Sequence, residues 1–251
     1  KQDCPVAVYP NIHSVTETLQ KKAQSCDAPF FYASAKIKME HCDFFGSQFS
    51  LSNPWISFSH LRLPLAGTYQ PLNCATVLTA LSALNKIYGI SFSEEVIRNG
   101  LKHCKWPGRM EVCGVSPLLI LDGAHNADGI SQVASTMYAL ADHRKITLVM
   151  GVLSDKAYEK MVTELLPFAD QIILTEPPTK RTLSADTLKD LFQNKGKECI
   201  ICPEVKSALD KAHEITKQED IILCCGSLYM IGEMKHILNR TRREIENNAK
   251  F

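Results

Sequence analysis

The chain has 251 residues, 45% of them hydrophobic and 22% charged, and a formal net charge of +1. That is a globular composition, with enough apolar residues for one large core or two smaller ones. The near-neutral charge gives no reason to expect nucleic acid or an anionic membrane as partner. No apolar run reaches the roughly 18–20 residues that a bilayer span needs. No secretory leader pattern opens the chain either, so a cytoplasmic location is expected. Most of the ten cysteines lie in apolar segments, among them Cys104, Cys113, Cys199, Cys202, Cys224 and Cys225. In a domain of this size that is the usage of reduced, buried thiols. Cys199 and Cys202 have redox or metal spacing, but in a strand such positions face opposite ways.

Taken in chain order, "PVAVY" reads as a short strand. "SVTETLQKKAQSC" reads as a helix with Ser14 as N-cap and Glu17 at capping-box distance. "FFYASA", "DFFGSQFSL" and "WISFSHLRLPL" alternate apolar and polar residues and read as strands, at least some antiparallel. "PLNCATVLTALSALNKIYGI" has the helical period, with Val77, Leu78, Leu81, Leu84 and Ile87 on its apolar side. "SFSEEVIRNGLKHC" reads as a second helix, capped by Ser91 or Ser93.

Beyond Pro107 and Gly108 the texture changes. Strands "SPLLILDGAHN", "KITLVMGVL", "DQIILTEP", "ECIICP" and "DIILCCGS" alternate with helices. The first helix carries Ile130, Val133, Ala134, Met137 and Leu140 on one face, and the third ends near Gly196. Near-continuous apolar strands in strict β-α alternation predict a doubly wound, mostly parallel sheet covered on both faces. The expected fold class is α/β, with one domain over 1–104 and the doubly wound domain over 105–251. The closing "RTRREIENNAKF" reads as a solvated helix end with a frayed tail.

In such a sheet the chemistry gathers beyond the carboxyl ends of the strands. Three polar clusters fall there: Asp122-Gly-Ala-His125-Asn126, then Asp155 and Lys156 in "GVLSDK", then Gly226 and Ser227 in "CCGSLY". Arg109, in "WPGRME" between the two domains, adds a cation. An acid, an imidazole, cations and a hydroxyl at one rim suit an anionic substrate such as a nucleotide or a carboxylate. Each also has a plainer reading. Asp122 or Asp155 caps a helix, His125 is a bonded loop histidine, Ser227 is an N-cap, and Arg109 forms a linker ion pair. Lys156, placed by the pattern in the first turn of a helix, is badly sited for the dipole there. No phosphate loop, dinucleotide fingerprint or serine nucleophile elbow is present.

Together "LAGTYQPLNCATVLTAL", "WPGRMEV", "LILDGAHNADG", "LSDKAYEKMVTELLPFAD" and "GSLYMIGEM" resemble the folylpolyglutamate synthases and dihydrofolate synthases, a branch of the Mur ligase superfamily, in order and approximate spacing. The resemblance covers nearly the whole chain. It implies an ATP-dependent carboxylate–amine ligase in which ATP phosphorylates a substrate carboxylate and the amino group of L-glutamate attacks the acyl phosphate, with Mg²⁺ neutralising charge. The acceptor would be folate or dihydropteroate. By the same resemblance Asn73, with Gln70 beside it, contacts ATP, and Arg109 reaches the phosphates. Asp122 would hold the ribose, His125 and Ser227 the incoming glutamate, and Lys156 stands in a lysine-bearing motif at the cleft. His125 and Lys156 are thus the candidate catalytic groups.

The family's phosphate loop, its Mg²⁺ ligands and its carbamylated lysine precede the point at which this chain begins. Residues 1–104 therefore resemble the C-terminal part of the central ATPase domain. The expectation is a ligase fragment, inactive alone, with metal ligands elsewhere. A Mur ligase acting on a cell-wall precursor and a non-catalytic nucleotide-binding module are the alternatives.

Overall fold

A computed structural model describes residues 1–248. The chain forms two compact units, Lys1–Lys105 and Trp106–Phe251.

In the first unit β1 (Val6–Val8) pairs in parallel with β2 (Phe30–Tyr32), and α1 (His13–Gln24) connects them. The cap differs from expectation. The helix starts at His13, so Ser14 lies inside its first turn and its carbonyl accepts from Thr18 Oγ1, while the N-cap is Ile12, with no side-chain cap bond. Strands β3 (Lys36–Asp43), β4 (Gly46–Asn53) and β5 (Ile56–Leu63) form an antiparallel meander. "DFFGSQFSL" is thus not one strand. Phe44 and Phe45 turn the chain, and the Asp43 carboxylate accepts from the amides of Phe45 and Gly46 to close the turn.

Helix α2 (Gln70–Tyr88) packs on this meander, placing Cys74, Ala75 and Leu78 against Phe49, Leu51, Leu61 and Leu63. Of the expected apolar side, Leu78 is buried and Leu81 packs against the core, whereas Val77 and Ile87 are exposed; Ala75, Thr79 and Ala83 are buried as well. Helix α3 (Glu94–Lys102) takes Ser93 as its cap, Oγ accepting from Val96 N.

In the second unit six strands lie in the order β10-β9-β8-β11-β7-β6. Four of them are β7 (Leu118–Leu121), β8 (Ile146–Met150), β9 (Gln171–Leu174) and β11 (Ile221–Cys225). With the two-residue β10 (Ile200–Ile201) they run parallel. Edge strand β6 (Glu111–Val115), which the alternation does not announce, pairs antiparallel with β7.

Every residue of β7, β8 and β11 is buried, as a sheet covered on both faces requires. Helix α4 (Ala127–Leu140) buries Ile130, Val133, Ala134 and Met137, as its spacing predicts; each large side chain among them contributes about 1.5–3 kcal/mol. The others are α5 (Tyr158–Leu165), α6 (Ala185–Gln193), α7 (Val205–Ile215) and α8 (Leu228–Asn248). The frayed tail expected after α8 lies outside the described residues.

All ten cysteines carry free thiols. Burial falls short of expectation at Cys104, Cys199 and Cys202, which are intermediate, and at Cys113, which is exposed on the edge strand. No helix among the described residues is long and apolar enough to cross a membrane.

Candidate functional site at the strand tips of the second unit

The last strand, β11, returns between the first two parallel strands. That crossover sets the tips of β7, β11 and β8 side by side, at the kind of topological switch where open α/β sheets keep ligand crevices. The three tips are fastened to one another. Gly226 N–H donates to the Ala124 carbonyl at 2.9 Å, joining β11 to β7. Gly226, at φ +114°, also approaches β8 so closely that a Cβ on it would stand 2.6 Å from the Gly151 carbonyl oxygen. Only glycine fits such a place without strain.

The Arg109 loop is pinned to the same tips. Gly123 N–H donates to the Gly108 carbonyl at 2.7 Å. Met110 N–H donates to Asp122 Oδ2 at 2.8 Å, and Ala124 N–H donates to Asp122 Oδ1 at 2.7 Å. On the outer side Gly108 N–H donates to Glu111 Oε2 at 2.7 Å, and Lys235 Nζ holds the same carboxylate at 2.6 and 2.9 Å. Arg109 projects from this strapped loop with its side chain exposed. Glu111, Met110 and Lys235 were not singled out from sequence, because two of the bonds involved use backbone amides, which leave no mark on residue type.

Asp122 is 1% exposed, and each of its oxygens accepts one backbone amide, so it clamps the strand tip. Burial pushes its carboxyl above the ordinary carboxylate range, against the pull of the Met110 and Ala124 amides and of the Arg109 guanidinium.

His125 is half-buried, with Nδ1–H donating to the Gly123 carbonyl at 2.8 Å. In the neutral ring this leaves Nε2 as an acceptor. Asn126 caps α4, its Oδ1 accepting from Gly129 N–H at 2.8 Å.

Ser227 precedes α8, yet its side chain is not a cap. Oγ is buried, the residue is 1% exposed, and the hydroxyl has no hydrogen-bond partner. A buried orphan hydroxyl costs stability, and at a helix entrance it is the kind of group a ligand satisfies.

Lys156 lies in a bend two residues before α5, not in the helix. Its Nζ is 3.8 Å from Asp155 Oδ2, which Arg181 Nη1 also reaches at 3.4 Å. The fastened tips therefore bring together Arg109, Asp122, His125, Gly226 and Ser227, while Lys156 belongs to a neighbouring ion cluster. In the first unit Asn73 is exposed on the first turn of α2, its Nδ2 donating to Gln70 Oε1 at 3.1 Å. Among the described residues no group of three or more His, Cys, Asp or Glu side chains gathers as a metal site.

The fold and the fastened tips define a class. Residues 108–228 match the family model for the Mur ligase glutamate ligase domain, and the second unit is a Mur ligase C-terminal domain. Within that class the chain is homologous to the folylpolyglutamate and dihydrofolate synthases. It is 28% identical over 237 residues to the dihydrofolate synthase/folylpolyglutamate synthase of Bacillus subtilis, covering 94% of this chain and 55% of that protein. To the Escherichia coli K12 protein of the same description it is 31% identical over 181 residues, 72% of this chain and 41% of that one.

Among solved structures, E. coli FolC in complex with ADP superimposes with a TM-score of 0.81 at 25% identity, over 97% of this chain and 55% of that one. Mycobacterium tuberculosis folylpolyglutamate synthase complexed with ADP shares the fold, with a TM-score of 0.81 at 21% identity over 91% of this chain and 53% of that one. The chain thus spans about half the length of the relatives it matches.

Proposed function

We propose that this chain supplies the glutamate-ligase domain of an ATP-dependent amide ligase that adds L-glutamate to folate or dihydropteroate in the cytoplasm. Residues 1–104 then belong to its ATPase domain. The observation that carries this reading is the convergence of an exposed Arg109, a tautomerically fixed His125 and the orphan hydroxyl of Ser227 on fastened strand tips. Homology to synthases of this activity supports it.

ATP, bound with Mg²⁺, supplies the phosphoryl group that activates the acceptor carboxylate. This chain's own part is placement. Arg109 holds the nucleotide phosphates through the planar fork that suits their oxygens, and Asn73, on α2 of the first unit, is the nucleotide contact proposed for that unit. Asp122 holds the Arg109 loop and the β7 tip in register. Ser227 takes a carboxylate oxygen of glutamate, satisfying its unpaired hydroxyl. His125 Nε2 accepts a proton from the glutamate ammonium, and the freed amine attacks the acyl carbon, forming the amide C–N bond as the C–O bond to phosphate breaks and inorganic phosphate leaves. Lys156, at the neighbouring cluster, adds positive charge near the anionic substrates.

No metal-ligand set is assigned to this chain. The test is ADP release by the full-length gene product given ATP, Mg²⁺, L-glutamate and either acceptor. Release that needs both glutamate and a folate-type acceptor is expected; release indifferent to glutamate would refute the assignment.

A further inference from the structure

Leu228 is the first residue of α8 and directly follows the orphaned Ser227. Its side chain lies across the tip of β7: a Cβ built on Gly123 would stand 2.4 Å from Leu228 Cδ2 and 3.3 Å from Gly108 O. Gly123 therefore admits the leucine against the turn whose carbonyl holds His125 Nδ1. Despite this contact Leu228 remains 55% exposed. Packing within the unit does not account for it, since α8 buries Met230, Ile231 and Met234 in the core instead. The exposed part of this isobutyl group, next in chain to Ser227, is apolar surface that the methylenes of a bound ligand would cover favourably.

We infer that Leu228 is a positioning residue for the amino-acid substrate and contributes to its selection. Its side chain is the wall against which the methylenes of glutamate pack, while Ser227 and His125 receive the polar ends. The inference rests on the proposed reading of the strand tips as the glutamate seat. Methylenes are the apolar part of that substrate, and Leu228 is the apolar side chain lying on Gly123, next in chain to Ser227 and against the turn that holds His125. Such contacts discriminate by roughly tenfold or more per group.

Steady-state kinetics on the full-length gene product test this. Leu228→Ala is expected to raise KM for L-glutamate about tenfold with KM for ATP unchanged, and Leu228→Met to bring the glutamate KM back. An unchanged glutamate KM, or an equal rise for glutamate and ATP, overturns the inference and leaves the ligase assignment standing. Absence of glutamate-dependent turnover in the wild type overturns both. Should the alanine variant lose its fold, Leu228→Val decides: a raised glutamate KM supports the wall, an unchanged one refutes it.

Discussion

Asp122 holds Met110 across twelve residues of chain: the Met110 N–H donates to Oδ2 at 2.8 Å. Met110 is buried and sits at φ +44°, a left-handed conformation that a long side chain adopts at a cost. The same carboxylate also takes the Ala124 amide. One buried acid thus fixes both the loop that carries Arg109 and the turn that carries His125.

Asp122→Ala leaves two buried amides without their acceptor. Each costs about 1–3 kcal/mol, so the urea midpoint should fall clearly. The pH dependence has a definite sign. Burial raises the Asp122 pKa above its ordinary 3.8, so its favourable contribution is complete below that value and is lost as pH rises through the raised one. Urea midpoints measured from pH 3.8 upward should show this decline in the wild type, and Asp122→Ala should lack that part of it.

Gly226→Ala puts a methyl 2.6 Å from the Gly151 carbonyl oxygen at a φ of +114°. Backbone must move to relieve it, and a loss of about 2 kcal/mol or more is expected. Gly196→Ala is the control for positive φ alone, since nothing lies within 4 Å of a Cβ there. Thermal unfolding of the two variants should separate the crowded glycine from the open one.

In the first unit Glu40 accepts from Ser50 Oγ at 2.6 Å and Gln48 Nε2 at 3.1 Å, with His60 Nδ1 at 2.7 Å. Chiefly the Ser50 bond, then His60, holds its carboxyl down at about 2. Its contribution to stability is therefore present above 4.5 and is lost as pH falls from there through about 2. NMR titration should find Glu40 charged through the range where other glutamates protonate, and Ser50→Ala should shift its midpoint upward.

Arg109 is exposed, and its side chain carries none of the bonds that pin its loop. Arg109→Ala in the full-length gene product should leave the unfolding free energy within about 0.5 kcal/mol of wild type while cutting the rate of acyl-phosphate formation. Unchanged single-turnover kinetics would remove Arg109 from the site.

The sheet of the second unit was legible because strands buried on both faces are written as apolar runs, as "LLIL" and "IILCC" are. Edge strands escaped that reading. β6 and β3 expose much of their length, so "EVCGV" and "KIKMEHCD" carry no continuous apolar signal. Ser14 and Lys156 were misplaced because helix starts shift by a residue or two with local backbone bonds that side-chain identity does not encode. At the site Arg109, Asp122, His125 and Ser227 were visible as polar residues at strand ends. That Asp122 faces inward and Ser227 lacks a partner was not, since the first depends on where the Met110 and Ala124 amides fall and the second on what surrounds a buried hydroxyl.

The account turns on the orphan hydroxyl of Ser227 being reserved for glutamate. The direct measurement is the dependence of ADP release on L-glutamate for wild-type and Ser227→Ala full-length protein, with unfolding midpoints recorded alongside. Because Oγ has no partner to lose, the variant should be at least as stable as the wild type, with a glutamate KM raised about tenfold, the order expected when one hydrogen bond to a charged group is lost. A stable variant whose glutamate KM matches the wild type would contradict it.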